Sequence, residues 1–156
     1  FLSAFEKKYG RRDVATNNVF GWEAVNLYCN GIKKVGNAKD VDAMMTTWAE
    51  DEEIVCVHPG GTRLVGYDAV RVGWEQLFAG DARLAFRLDQ IVMIETVGLA
   101  MQSVVEHVSL GSDGTPRGAA ICTNVFLRTP SGWRMVMHHA SPATASASTE
   151  PKGPLH

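Results

Sequence analysis

The sequence predicts an α+β fold in which three helices precede a long, mostly antiparallel sheet. In the first half, apolar residues recur at three- and four-residue steps, which is typical of amphipathic helices. In the second half, four long segments rich in β-branched residues are separated by short turns that contain Gly, Asp or Pro. Because the helices are segregated and do not alternate with strands, the pattern favours α+β over a parallel α/β fold.

Size and charge limit the kind of protein this is. The chain has 156 residues, which is material for about one domain. Its formal net charge of −2 provides no strongly basic surface for a phosphate backbone or an anionic bilayer. No apolar run approaches the ~20 residues of a membrane span. Neither nucleic acid nor a membrane is therefore an expected partner.

The cysteines indicate the redox state of the compartment in which the protein is found. Cys29, Cys56 and Cys122 are an odd number, lie far apart and have apolar neighbours, without the spacing of a metal site. We interpret them as buried thiols in a reducing compartment, so a soluble cytoplasmic protein is expected.

Three amphipathic helices are predicted. The first covers residues 19–35 and includes Tyr28 on its apolar face. The second begins after Asp40 and is indicated by four apolar residues at helical spacing, Val41, Met44, Met45 and Trp48. The third covers residues 67–78 and carries Trp74 on its apolar face.

The strands and the domain limits follow from the turn signals. Two short strands are predicted on either side of the Pro59-Gly60-Gly61 turn, and four long ones are predicted at 84–95, 99–110, 118–129 and 132–140. A basic N-terminal arm over 1–18, one domain over 19–141 and a flexible tail over 142–156 complete the division. Long strands coil, so the sheet is expected to form a cone that the helices close around an interior pocket. Its apolar outer face predicts a homodimer.

Three strings resemble the nuclear transport factor 2-like superfamily, specifically its SnoaL-like and ketosteroid isomerase-like branch. They are NAKDVDAMMTTWAEDEEIVCVHPGG, GYDAVRVGWEQLF and ICTNVFLRTPSGWRMVMHHAS, and they occur in the family's order and spacing. In the isomerases the residue before the Pro is an aspartate base, and His58 stands at that position. An oxyanion-binding aspartic acid is matched by Asn124, and the tyrosine of the same oxyanion hole is matched approximately by Tyr28.

The resemblance also implies which side chains face the pocket. Alternation places Trp133, Met135, Met137 and His139 on one face of the last strand, and by resemblance this face lines the pocket. Asn124 and Phe126 share the equivalent face of the preceding strand, so Asn124 and His139 are expected to be neighbours. On the strand before that, His107 belongs either to the pocket or to a dimer face.

These residue types suit acid–base chemistry. A neutral imidazole has an unperturbed pKa of about 6.5 and can take or give a proton near neutral pH, so His58 is the predicted acid–base group. Asn124 is the predicted oxyanion donor and His139 a secondary proton carrier. The predicted ligand-binding residues are Tyr28, Trp74, His107, Phe126, Met135 and Met137.

Two functions are compatible with these residues. The first is a cofactor-free isomerase, cyclase or dehydratase acting on a small, partly apolar carbonyl compound. The second is a non-catalytic ligand-binding or dimeric association module of the same fold. No metal site is predicted, because the adjacent His138 and His139 point to opposite faces of a strand and cannot bind one ion together.

Overall fold

The structure is a computed structural model that describes residues 41–79, 84–110 and 114–143. The predicted N-terminal arm, the first predicted helix with Tyr28 and Cys29, and residues 144–156 of the predicted tail lie outside the described residues. The predicted tail begins slightly too early, because Pro142 is the last residue of a strand and the amide of Ala143 donates to the carbonyl of Ala119.

Helices and strands follow one another in a simple order. Helix α1 (Val41–Met45) precedes strands β1 (Val55–Val57) and β2 (Arg63–Val65), and helix α2 (Tyr67–Phe78) follows them. The long strands then come in succession, as β3 (Leu84–Glu95), β4 (Leu99–Leu110), β5 (Pro116–Thr129) and β6 (Gly132–Pro142). They form a six-stranded sheet in the order β2-β1-β6-β5-β4-β3.

The sheet is antiparallel at every junction except one. Among the described strands, β1 and β6 alone run parallel, and this pairing places β1 beside β6 in the middle of the sheet. The α+β class and the mostly antiparallel sheet are confirmed. The bounds of the third predicted helix and of the first two long strands agree with the prediction, since those segments are flanked by clear turn signals.

The second predicted helix is shorter than its apolar spacing indicates. It ends at Met45, where the hydroxyls of Thr46 and Thr47 donate to carbonyls three residues back in the chain. Such local bonds compete with the helical ladder. Trp48 instead forms a parallel β-bridge with Met135, and the amide of Met135 donates to the carbonyl of Thr47. Pairing with the sheet therefore replaces the last helical turn.

Both helices cover the inner face of the sheet. Arg71 of α2 forms a salt bridge with Asp42 of α1, which joins the two helices at their exposed sides. The core between helices and sheet includes large apolar side chains that are almost fully buried, namely Met44, Met45, Trp48, Trp74, Phe126 and Met135. Each such side chain contributes about 1.5–3 kcal/mol through burial, so the inner face is where the fold is held together.

The pairing of the described long strands shifts register at three places, and two of these shifts lie beside the inner-face residues of β3 and β6. In β3 the register with β4 shifts between Asp89 and Val92, where Gln90 has a φ of 50°. In β6 the register with β5 shifts by one residue, because Met135 pairs with Phe126 whereas Met137 pairs with Val125. Val136 is the extra residue. A β-bulge of this kind increases twist and changes which side chains face inward beyond it.

The outer face of the sheet carries a group of apolar side chains beside polar and charged ones. One cross-strand row consists of Ile94, Met101, Val125 and Met137. Val92 and Ile94 are 61% and 56% exposed, so they contact little within this chain. In the described ranges, no helix has the length and hydrophobicity needed to cross a bilayer.

Gly66 provides a test of how α2 is anchored. It precedes α2 with φ 89° and ψ 156°, and its amide donates to the carbonyl of Ile54. This backbone region is almost exclusive to glycine, and an added Cβ would lie 3.2 Å from the Glu52 carboxylate. We expect Gly66→Ala to lower the free energy of unfolding by about 1–3 kcal/mol. The measurement is urea denaturation followed by circular dichroism.

The matched control is Gly98→Ala in the β3–β4 turn. No atom lies within 4 Å of its added Cβ, and its φ is outside the positive range. We expect a change of no more than about 0.5 kcal/mol there. Equal effects of the two substitutions would contradict the role given to Gly66.

Candidate functional site

A row of three polar side chains crosses the inner face of the sheet. Gln102 of β4 pairs with Asn124 of β5, and Asn124 pairs with His138 of β6. The Asn124 Nδ2 donates to Gln102 Oε1 at 2.8 Å, and His138 Nδ1 lies 2.7 Å from Asn124 Oδ1. Since a carbonyl oxygen can only accept, His138 carries its hydrogen on Nδ1. We call these three residues the polar row.

The polar row is isolated from solvent. Gln102 and Asn124 have no exposed area, and His138 is 2% exposed. Hydrogen bonds in such surroundings are strong, and an unpaired polar group there is costly. Each member of the row therefore fixes the orientation of the next, and the two amides and the imidazole form one directed chain.

His58 lies beside the His138 end of the polar row. It follows β1 and begins the turn in which the amide of Gly61 donates to the His58 carbonyl at 2.8 Å. Its ring centroid lies 6.0 Å from that of His138 and 4.6 Å from that of Trp74, whose ring meets it edge-on. The ring also packs against Gly73 of α2, where a Cβ would lie 3.6 Å from His58 Nε2.

Burial keeps both histidines neutral. It lowers the pKa of the half-buried His58, and it is the main reason that the pKa of His138 falls to about 3. Positive charge on His58 or His139 would lower the pKa of His138 further. At neutral pH both imidazoles are therefore uncharged, and protonation of one opposes protonation of the other.

The two described cysteines have the character predicted for them, as buried free thiols. Burial raises the pKa of Cys56 to about 12, so its thiol is protonated at neutral pH. Its sulfur lies 3.7 Å from His58 Nε2. Burial, followed by the neighbouring Glu106, also raises the pKa of Cys122. Neither thiol has the lowered pKa of a nucleophile.

The structure brings several predicted residues together. His138 lies between His58 and Asn124, with its Nδ1 hydrogen-bonded to Asn124 Oδ1 and its ring beside that of His58. Trp74 contacts both histidine rings. Phe126 and Met135 face inward in the same apolar cluster as Trp74. Tyr28 lies outside the described residues.

The predicted orientation of the last strand is wrong beyond Met135. Trp133 and Met135 face inward as expected, but the extra residue Val136 reverses the alternation. His139 is exposed on the outer face, and Met137 lies on the outer face with it. The inward histidine is His138, so His139 is not the neighbour of Asn124 in the interior.

The two possibilities for His107 are also resolved by register. It pairs with Arg87 and lies on the outer face, with its Nε2 3.7 Å from a carboxylate oxygen of Asp89. It does not line the interior.

Sequence reasoning missed Gln102 and His138. Both faces of β4 mix apolar and polar residues, so alternation alone could not choose the inward one. The His138-His139 pair shows that one histidine faces inward, but a one-residue bulge has no clear sequence signal here. Within the described part of the chain, no three His, Cys, Asp or Glu side chains are grouped closely enough to hold a metal ion.

Solved structures share this architecture. One from Thiobacillus denitrificans, provisionally named a calcium/calmodulin-dependent protein kinase type II association domain, is 32% identical with a TM-score of 0.68, covering 78% of this chain and 93% of that one. A Streptomyces avermitilis protein, provisionally named a dehydratase of the NTF2-like family, is 26% identical with a TM-score of 0.67, covering 80% and 97%. A Nostoc punctiforme protein of unknown function with a cystatin-like fold is 13% identical with a TM-score of 0.67, covering 85% and 95%.

Sequence comparison gives the family. The F-box protein SKIP8 of Arabidopsis thaliana is 26% identical over 101 residues, which are 65% of this chain and 42% of that protein, so the chain spans less than half of this relative's length. The profile of the SnoaL-like domain matches residues 29–145, which is most of the chain. The chain therefore belongs to the SnoaL-like domain family within the NTF2-like superfamily.

Proposed function

We propose that the protein is a cofactor-free acid–base enzyme of isomerase, cyclase or dehydratase type that acts on a small, partly apolar carbonyl compound. The observation that carries the proposal is the position of His58. It is a half-buried imidazole of lowered pKa, and it lies at one end of a fully buried, directed polar row. A base next to oriented hydrogen-bond donors is the minimum needed for proton abstraction beside a carbonyl group.

His58 Nε2 is the proposed basic atom. It faces the protonated Cys56 thiol, and S–H is only a weak donor, so this contact does not compete with a substrate proton. Trp74 holds the ring edge-on and restricts its rotation. The apolar side chains beside it, including Phe126 and Met135, are the proposed walls for the substrate's hydrocarbon part.

The proposed step moves one proton. The His58 Nε2 lone pair takes a proton from the carbon next to the carbonyl group, the C–H electron pair forms a C=C bond, and the C=O π electrons move onto oxygen to give an enolate. In an isomerase the imidazolium returns the proton to another carbon. In a dehydratase it protonates a departing hydroxyl, which leaves as water while the enolate electrons form a C=C bond. In a cyclase the enolate carbon attacks a second carbonyl carbon, and the imidazolium protonates the resulting alkoxide.

A dehydratase type is supported by the name of the Streptomyces avermitilis relative, and the family supports a small-molecule pocket. The buried free thiols of Cys56 and Cys122 support a reducing compartment, and the cytoplasm is the proposed location.

The adjacent histidines of β6 give a sharp test. We expect the wild-type protein to catalyse exchange of the α-hydrogens of at least one ketone in a panel for deuterium from D2O. The exchange is measured by proton NMR. His58→Ala is expected to lower the exchange rate by about 100-fold or more, because it removes the base. His138→Ala is expected to lower it by about tenfold through loss of the polar row.

His139→Ala is the matched control, since its side chain lies on the outer face, and we expect a rate within about twofold of wild type. Thermal melting by circular dichroism verifies that each variant is folded. A reduced exchange rate in His139→Ala together with a wild-type exchange rate in His138→Ala would contradict the orientation of these residues on β6. Absence of exchange across the panel would favour the second function below.

The second candidate function is a non-catalytic ligand-binding or dimeric association module. It is favoured by the exposed apolar residues of the outer face, such as Val92 and Ile94, and by the provisional name of the Thiobacillus denitrificans relative, an association domain. A homodimer through this face is proposed under either function. Association with a second copy would remove the exposed apolar row from water, which is favourable.

We expect sedimentation velocity to give twice the mass of the chain for the wild type and the single mass for Val92→Lys/Ile94→Lys. The two lysines would place charges in the apolar contact. Val97→Lys is the control, because Val97 is 79% exposed at the β3–β4 turn and away from the cross-strand rows. A wild-type protein that is monomeric at every concentration would contradict the dimer.

A further inference from the structure

The described interior has a surplus of hydrogen-bond donors. Four buried side-chain polar atoms in the described ranges have no partner, and all four are N–H groups, those of Trp48, Trp74, Gln102 and Trp133. No buried side-chain acceptor in the same ranges lacks a partner. Burying a donor without an acceptor costs free energy, and native interiors contain few such groups. Unpaired donors of this kind are expected to be satisfied by an acceptor from outside the chain.

Two of these donors belong to the candidate site, at its opposite ends. Trp74 contacts the rings of His58 and His138 at one end, and Gln102 ends the polar row at the other. The backbones of Gln102 and His138 are two strand spacings apart, or about 10 Å. A molecule of one or two rings is large enough to reach from one end to the other.

The polar row fixes the orientation of the Gln102 amide. Its Oε1 accepts from Asn124 Nδ2, and the oxygen of Asn124 accepts in turn from His138 Nδ1. The Gln102 Nε2 is therefore the group at the end of the polar row that still has hydrogens to donate, and the residue has no exposed area. Asn124, the oxyanion donor predicted from the sequence, uses both of its polar side-chain atoms within the polar row.

The described residues around the site provide no positive charge that would favour an anionic ligand. The buried polar residues of the described ranges are Thr47, Gln102, Glu106, Asn124 and His138, with no lysine or arginine among them. A carboxylate or phosphate would thus find no counter-charge among these buried residues, and the Glu106 carboxyl group lies on the same inner face of β4. A neutral acceptor carries no such cost.

We infer that Gln102 is a ligand-binding residue whose amide Nε2 donates to the carbonyl oxygen of a neutral ligand, with the Trp74 indole N–H as a second donor near His58. This inference rests on the proposed function, because it names the group that holds the oxygen of the proposed carbonyl substrate. It assigns the donor to Gln102 and leaves Asn124 as the residue that positions it.

Two probes of matched shape test this role. Acetophenone has a carbonyl group where α-methylstyrene has C=CH2, so their affinities for the full chain differ mainly through hydrogen bonding. By ligand-observed NMR titration we expect the wild type to bind acetophenone about tenfold more tightly than α-methylstyrene. Gln102→Met keeps the length of the side chain and removes the donor, and it is expected to bring this ratio close to one.

Ser103→Ala is the control, because Ser103 is the next residue of β4 and pairs on the outer face with Thr123. It is expected to keep the wild-type ratio. Should Gln102→Met not fold, the infrared C=O stretch of carbonyl-labelled acetophenone bound to the wild type replaces it. A shift to lower frequency than in hydrocarbon solvent supports donation to the oxygen, and an unshifted band overturns it.

The outcomes separate the inference from the proposed function. A ketone preference that His58→Ala retains and Gln102→Met loses supports the inference even where no ketone exchanges deuterium. Equal wild-type affinities for the two probes, a ratio unchanged in Gln102→Met, or no binding of either probe overturns it, even if exchange is observed.

Discussion

Val136, the extra residue of β6, determines which side chains of that strand face the interior beyond Met135. Without it, alternation along β6 would bring Met137 and His139 inward and direct His138 outward. With it, His138 reaches the inner face and donates to Asn124, which donates to Gln102. The polar row and the approach of His138 to His58 follow from this one shift in register. β-Bulges are often found next to active sites for this reason, since they redirect a side chain while strand pairing continues on either side of the extra residue.

The site combines low charge with high directionality. Burial lowers the pKa of both histidines and raises that of Cys56, so the groups around His58 are neutral at physiological pH. A neutral site costs little to bury, and its hydrogen bonds are directed by the amides and not by ion pairs. The neutral histidines do carry a cost in acid. Below the ordinary histidine pKa the unfolded chain binds a proton that folded His138 does not, and stability falls by about 1.4 kcal/mol per pH unit.

The sequence predicted the fold more fully than the site. Helix α2 and the long strands β3 and β4 have strong periodicity and clear turn residues at their ends, which explains why their bounds agree with the structure. His58 and Asn124 could be selected because turn chemistry and family resemblance fix their places. His138 and Gln102 could not be selected, because the face on which a side chain lies depends on cross-strand register. Neither the bulge at Val136 nor the pairing of Gln102 with Asn124 is visible in the sequence of one strand alone.

Long-range proton–nitrogen NMR of the histidine side chains tests the central claim most directly. The buried row requires His138 to be neutral with its hydrogen on Nδ1, and its pKa of about 3 means that its signals do not titrate between pH 8 and pH 5. The hydrogen-bonded Nδ1 proton is expected to be protected from solvent exchange. A His138 with the hydrogen on Nε2, or one that becomes protonated near pH 6.5, would contradict the account.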